Sequence, residues 1–158
     1  GRLTYAANWD QIESVPFWDQ LDLIGVHAYF PLGSTTEPGI EELADSWNSV
    51  FSRLDGLSRR TGDLPVFFAE IGYNRSAAAA TEPWSYAMAD SPDIRRLRQR
   101  LIEAAIEAAE GESLVTGMFW WKWIPGPLGH DRDFSMKDPE ALQALEARWS
   151  RSAVTTAE

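Results

Sequence analysis

Glu70 is the residue in this sequence best placed to do chemistry. It closes the apolar run Val66-Phe67-Phe68-Ala69 and precedes Ile71-Gly72-Tyr73. A carboxylate at the end of a buried strand loses solvation, so it needs either a partner or a use. Two readings stand side by side. In one, Glu70 is a reactive carboxylate in a cleft. In the other, it pairs with Lys122 or an arginine, or caps a helix. His27 and Tyr29 alternate along the apolar run from Leu21 to Tyr29, so their side chains share one face. A tyrosine hydroxyl beside a carboxylate donates a hydrogen bond that favours the charged form and orients it. A lone histidine is more often a structural hydrogen-bond partner than a catalyst, but a place one strand from Glu70 favours a role in the site.

Aromatic residues supply the second signal. Eight tryptophans in 158 residues is well above ordinary usage. Indole offers a large rigid apolar plane and an N–H donor, which suits the C–H face of a sugar ring. In Phe119-Trp120-Trp121-Lys122-Trp123, Trp121 and Trp123 share one face and Trp120 takes the other. All three could pack against helices, but each buried indole N–H would then need a partner. Trp121 or Trp123 as a saccharide platform is the better reading, and the sequence does not choose between them. The loop Gly129-His130-Asp131-Arg132-Asp133 lacks a recognised ligand spacing and reads as a solvated loop, so no metal site is expected. Glu82-Pro83-Trp84-Ser85-Tyr86 either walls a cleft or forms a surface turn.

These residues must be positioned by strands and helices that the pattern makes legible. Strand-like runs are Leu3 to Ala7, Leu21 to Tyr29, Pro65 to Glu70 and Leu114 to Trp123. Near-continuous apolar runs suit parallel strands covered on both faces. Between them, Leu43, Trp47, Val50, Leu54 and Leu57 form one helical stripe, with Arg59 and Arg60 in its last turn and Gly62 as a stop. Ser91 and Pro92 begin another helix, whose stripe is Ile94, Leu97, Leu101, Ala105 and Ala108 and which Gly111 ends. Its basic run, Arg95, Arg96, Arg98 and Arg100, reads as a solvated side. A last helix starts at Asp138-Pro139, with Leu142, Leu145 and Trp149 on one side. The connection from Trp9 to Gln20 has room for a short helix only.

The order β-α-β-α-β-α-β-α predicts an α/β fold with a parallel sheet. An open doubly wound domain and half of a (β/α)₈ TIM barrel both satisfy it. No glycine-rich phosphate fingerprint is present. Polar and aromatic residues gather instead at strand ends: Asn8 and Trp9, His27 and Tyr29, Glu70 and Tyr73, Trp121 and Trp123. In barrels the C-terminal strand ends carry the active site, so the barrel is favoured. The expected domain spans residues 1–150, with 151–158 a disordered tail. The net charge of −10 argues against nucleic acid and anionic membranes as partners. No cysteine is present, which removes disulfides and thiolate chemistry. No run approaches the roughly 20 apolar residues of a membrane span. No signal peptide is visible, and an upstream region is expected because Gly1-Arg2-Leu3-Thr4-Tyr5 already enters a strand. The compartment is not fixed by these features, with export weakly favoured.

Taken in order, Leu3 to Trp9, Asp22 to Tyr29, Phe68 to Tyr73 and Phe119 to Trp121 resemble the clan A retaining glycosidases, and most closely glycoside hydrolase family 113, the β-1,4-mannanase type. Asp133-Phe134-Ser135 followed by Asp138-Pro139-Glu140-Ala141-Leu142 is similar to that family's passage from last strand to last helix. The resemblance covers nearly the whole chain and implies barrel strands five to eight. It implies that Glu70 is the catalytic nucleophile and that the sixth-strand aromatic and the eighth-strand Trp line the subsite where the bond breaks. The strand-end residues Asn8, Trp9, His27, Tyr29, Tyr73, Trp121 and Trp123 are the expected substrate-binding set, and no cofactor is expected. The family's acid/base glutamate follows an asparagine at the end of the fourth strand. No Asn-Glu pair occurs here, so the acid/base is expected outside this chain. The expected whole is a retaining endo-β-1,4-mannanase-like glycosidase acting on a β-linked polysaccharide. The isolated chain is expected to be weak or inactive and to self-associate through exposed strand edges unless the missing N-terminal half covers them. The rival is a non-catalytic carbohydrate-binding or inactive barrel relative.

Overall fold

The structure is a computed structural model that describes residues 1–126 and 133–155, with side chains described as far as residue 148. Four strands appear: β1 (Thr4–Asn8), β2 (Leu23–His27), β3 (Val66–Ile71) and β4 (Val115–Trp120). Three long helices follow the later strands: α1 (Ile40–Arg60), α2 (Pro92–Glu110) and α3 (Pro139–Thr155). The β1–β2 connection carries only two 3₁₀ turns, Ile12–Ser14 and Trp18–Gln20. The helix signals act where they stand. Ser91 Oγ accepts from Ile94 N at 3.2 Å, Pro92 opens α2, and Gly111 caps its end. Gly62, just beyond α1, takes a positive φ of 92°, which only glycine adopts freely.

All four strands are parallel, in the spatial order β1-β2-β3-β4. This order decides between the two candidate architectures. A doubly wound sheet reverses its strand order at a switch point, whereas a barrel adds each strand beside the last. Right-handed crossovers in an unreversed order place every helix on the same side of the sheet. The burial agrees. Ile24, Val26, Val66 and Phe68 face the helices and are fully buried. The opposite face carries Phe119, 65% exposed, whose ring meets Phe67 at 5.2 Å. Gly25 lies on this second face, where a Cβ would stand 2.5 Å from Tyr5 O.

The core centres on α1. Trp47 stacks on Phe51 at 5.4 Å and on Phe68 at 6.1 Å. Burying one such ring stabilises the fold by roughly 1.5–3 kcal/mol. In α3 the residues packed into the core are Ala141 and Ala144, while Leu142 and Leu145 are only half-buried. Those two leucines line a groove of about 640 Å³ beside β4, together with Met118, Trp120 and Trp123. α3 runs through Thr155, across the first residues of the expected tail. The side chain of Trp149, residues 156–158 and most of the loop from Gly129 to Asp133 lie outside the described residues.

One expectation is overturned in α2. The basic run is not uniformly solvated, because Arg98 is 0% exposed. Spacings of three and four to Leu101, Ile102 and Ala105 put Arg98 on the buried stripe. Its charge is met by Asp138 at 3.1 Å and by Glu140 at 3.7 Å. Arg75 also pairs with both carboxylates. Two cations facing two anions make burial of the cluster tolerable.

Candidate active site

The strand register builds the site. Asn8 lies opposite His27, and His27 lies opposite Glu70. The three residues therefore form one row across the C-terminal ends of β1, β2 and β3. Backbone bonds hold the row in place: Trp9 N donates to His27 O at 3.2 Å, and Ala28 N donates to Glu70 O at 2.7 Å. The side chains continue the line. His27 Nδ1 lies 3.3 Å from Asn8 Oδ1. An amide oxygen only accepts, so Nδ1 carries the proton in this pair. His27 Nε2 faces Glu70 Oε1 at 3.7 Å, beyond hydrogen-bond range.

Tyr29 supplies the tight contact. Its hydroxyl donates to Glu70 Oε2 at 2.8 Å. Burial, with the hydrogen bond to Glu70 adding to it, raises the Tyr29 pKa far above the usual phenol value. The phenol thus remains a donor at every working pH. The Tyr29 ring packs edge-on against Phe134 at 6.0 Å. Phe134 is itself pinned, because Lys122 N donates to Phe134 O at 2.9 Å and Arg98 Nη2 donates to Ser135 O at 2.8 Å. Arg98 Nε also donates to Tyr73 O at 2.9 Å. The buried ion cluster thereby fixes the segment that backs the donor to Glu70. Sequence reasoning missed Arg98, although Asp138 and Glu140 downstream were the signal that a buried arginine could be balanced.

The described partners of Glu70 are Tyr29 and His27, while Lys122 reaches Asp133 at 3.8 Å. The Glu70 side chain keeps 28% of its surface open. One oxygen is anchored by the phenol, and the carboxylate still reaches solvent at the mouth of the strands. This arrangement suits attack on an electrophilic carbon, or stabilisation of positive charge developing there.

The other expected residues divide. Trp9 is half-buried and stacks on Trp84 at 5.5 Å with an interplanar angle of 25°, so it belongs to the strand-end cluster. Trp121 is half-buried, and its backbone N–H donates to Ile71 O at 2.7 Å, which sets it beside the end of β3. Its carbonyl also crowds Gly72, where a Cβ would stand 2.4 Å away. Tyr73 requires correction as a binding residue. It is 1% exposed and part of the core, two residues past the end of β3. Trp123 is also placed differently from the expectation. It lines the groove beside β4, with the Lys137 ammonium 5.8 Å from its ring centre.

Comparison with known proteins follows the same lines. The sequence profile described as Glycoside Hydrolase Family 113 matches residues 1–135. No relative among curated proteins matches. A GH113 β-1,4-mannanase solved as a complex is similar in fold, with a TM-score of 0.75 and 20% identity over 95% of this chain and 46% of that one. The GH113 β-mannanase from Alicyclobacillus acidocaldarius, solved with ManMIm, has a TM-score of 0.69 and 25% identity over 93% of this chain and 44% of its own. A β-glucuronidase from Ruminococcus gnavus shares the fold at a TM-score of 0.59 and 16% identity, with 26% of its length covered. The chain therefore spans less than half the length of the mannanases it matches, and its four βα units correspond to half of such a barrel. A profile match over this share of the sequence, on a fold with a carboxylate at its parallel strand ends, places the chain in Glycoside Hydrolase Family 113.

Proposed function

We propose that this chain is the nucleophile-bearing half of a retaining glycoside hydrolase, an endo-β-1,4-mannanase-like enzyme acting on a β-linked polysaccharide. The observation that carries this reading is Glu70, held by Tyr29 at 2.8 Å and open at the C-terminal ends of the strands. In this mechanism the Glu70 carboxylate attacks the anomeric carbon and forms a glycosyl-enzyme. A second carboxyl group about 5–5.5 Å away protonates the departing oxygen and then activates water. That second group comes from the other half of the barrel. Without it, leaving-group protonation is lost, a factor of about 10²–10⁴ in rate, so these 158 residues alone have little or no activity.

The surfaces support the need for a second half. β1 and β4 each pair on one side only among the described residues. Leu3, Tyr5 and Phe119 are exposed near those edges, and the apolar groove beside β4 is open. Closing the barrel covers all of them. Glu70→Gln in the full-length protein tests the catalytic reading. Release of reducing ends from β-1,4-mannan should vanish while mannan is still bound. Unchanged behaviour would favour a non-catalytic carbohydrate-binding relative.

A further inference from the structure

The loop between β3 and α2 carries a feature that the hydrolytic reading does not use. Trp84, Tyr86 and Met88 alternate along it and are all exposed, Trp84 at 44% and Tyr86 at 70%. Exposed aromatics on a mobile loop would need no explanation, since single apolar residues on surfaces are common. This loop is held by internal bonds. The buried Asn74 donates from Nδ2 to Glu82 O at 2.8 Å and accepts from Ser76 Oγ at 2.6 Å. Ala89 N donates to Arg75 O at 2.7 Å, and Leu32 N donates to Ala80 O at 2.8 Å. The loop's own Ala79 and Ala80 are buried. The rings are thus presented by an ordered scaffold, at the cost of leaving apolar surface in water.

Their neighbours tie them to the site. Trp84 lies with one face on Trp9, at the end of β1 and one residue from Asn8. Tyr86 meets Phe134 edge-on at 5.6 Å, and Phe134 backs Tyr29, the donor to Glu70. Trp84 is therefore joined through Trp9 to the Asn8 end of the row, and Tyr86 through Phe134 and Tyr29 to its Glu70 end.

We propose that Trp84 and Tyr86 form saccharide subsites beyond the ring being cleaved, binding further neutral pyranose units of the same chain. The inference rests on the glycosidase reading above and extends it. The half-exposed Trp84 indole fits the apolar C–H surface of a pyranose, and the Tyr86 phenol adds a hydroxyl for sugar hydroxyls. The net charge of −10 opposes polyuronates and favours a neutral chain. Subsites of this kind add affinity for long substrates and leave short ones unaffected.

The test uses full-length protein carrying Glu70→Gln and measures binding of a β-1,4-mannohexaose and a mannobiose by calorimetry. Adding Trp84→Ala or Tyr86→Ala should weaken hexaose binding at least tenfold and leave biose binding unchanged. Trp84→Phe should restore most of the loss. Tyr86 is mostly solvent-exposed, so its removal tests the idea even if Trp84→Ala disturbs the loop. Hexaose affinity unaltered by both alanine substitutions, or equal losses for hexaose and biose, would overturn the inference. The two readings fail separately. A wild-type protein that hydrolyses nothing yet needs Trp84 and Tyr86 to bind hexaose would sink the nucleophile assignment and keep these subsites. A hydrolase whose hexaose binding ignores both rings would do the reverse.

Discussion

Replacing Tyr29 with phenylalanine removes one atom from the structure and one hydrogen bond from Glu70. The ring still packs on Phe134, so the fold should survive. The lost bond is 2.8 Å long and partly buried. A hydrogen bond to a charged group is worth about 1.5–3 kcal/mol. At about 1.36 kcal/mol per tenfold in rate, its full loss in a transition state slows the step by roughly 10- to 150-fold. The two steps of the proposed retaining mechanism feel this differently. In the first, the carboxylate gives up its charge to the new bond. Losing the phenol there costs orientation but also frees the nucleophile, and the effects offset. In the second, the carboxylate departs and regains its charge, and the phenol is no longer present to stabilise it. Deglycosylation should therefore slow more than glycosylation. With an aryl β-mannoside bearing a good leaving group, the variant should show a burst of phenol release, a kcat reduced about tenfold or more, and a lowered KM. A kcat within twofold of wild type, with no burst, would refute the reasoning that places Tyr29 on the nucleophile.

Two further outcomes follow from groups away from the cleft. Arg98→Met leaves Asp138 and Glu140 buried with one cation instead of two, and breaking such a cluster should cost about 3–5 kcal/mol in denaturant unfolding. The Arg53 guanidinium, hydrogen-bonded to Glu13, holds that carboxyl below its ordinary value of 4.5. A carboxyl lowered in the folded state contributes stability that is complete above its unfolded pKa and disappears as pH falls through the folded value. Thermal melts of Glu13→Gln should therefore match wild type at pH 3 more closely than at pH 6.

The parts of this molecule that were legible in the sequence are those fixed by local chemistry. Ser91 and Pro92 begin α2 because a side-chain oxygen and a missing N–H suit the first turn, and neither depends on distant residues. The stripe from Leu43 to Leu57 is buried because helical spacing alone puts it on one face. Glu70 and Tyr29 were legible as strand-end polar residues, but their contact depends on register across two strands. Asn8 shows the limit more clearly, since its place beside His27 follows only once β1 and β2 are aligned. Tyr73 could not be placed by alternation, because β3 is irregular between Phe68 and Ile71 and ends at Ile71. Arg98 was read by its charge and not by its spacing. Trp123 could not be placed, because the backbone leaves the strand after Trp120 and period-two alternation no longer applies. The anchoring of the aromatic loop is likewise invisible in sequence, as its bonds join Asn74 and Arg75 to partners many residues away.

The account depends on a covalent role for Glu70, and chemical trapping addresses that role without intermediaries. Full-length protein incubated with an activated 2-deoxy-2-fluoro-β-mannoside, whose fluorine slows turnover of the glycosyl-enzyme, is digested and the labelled peptide sequenced by mass spectrometry. One fluorosugar on Glu70, absent from the Glu70→Gln variant, is the expected result. A label on another carboxylate, or release of product with inverted anomeric configuration, would contradict it.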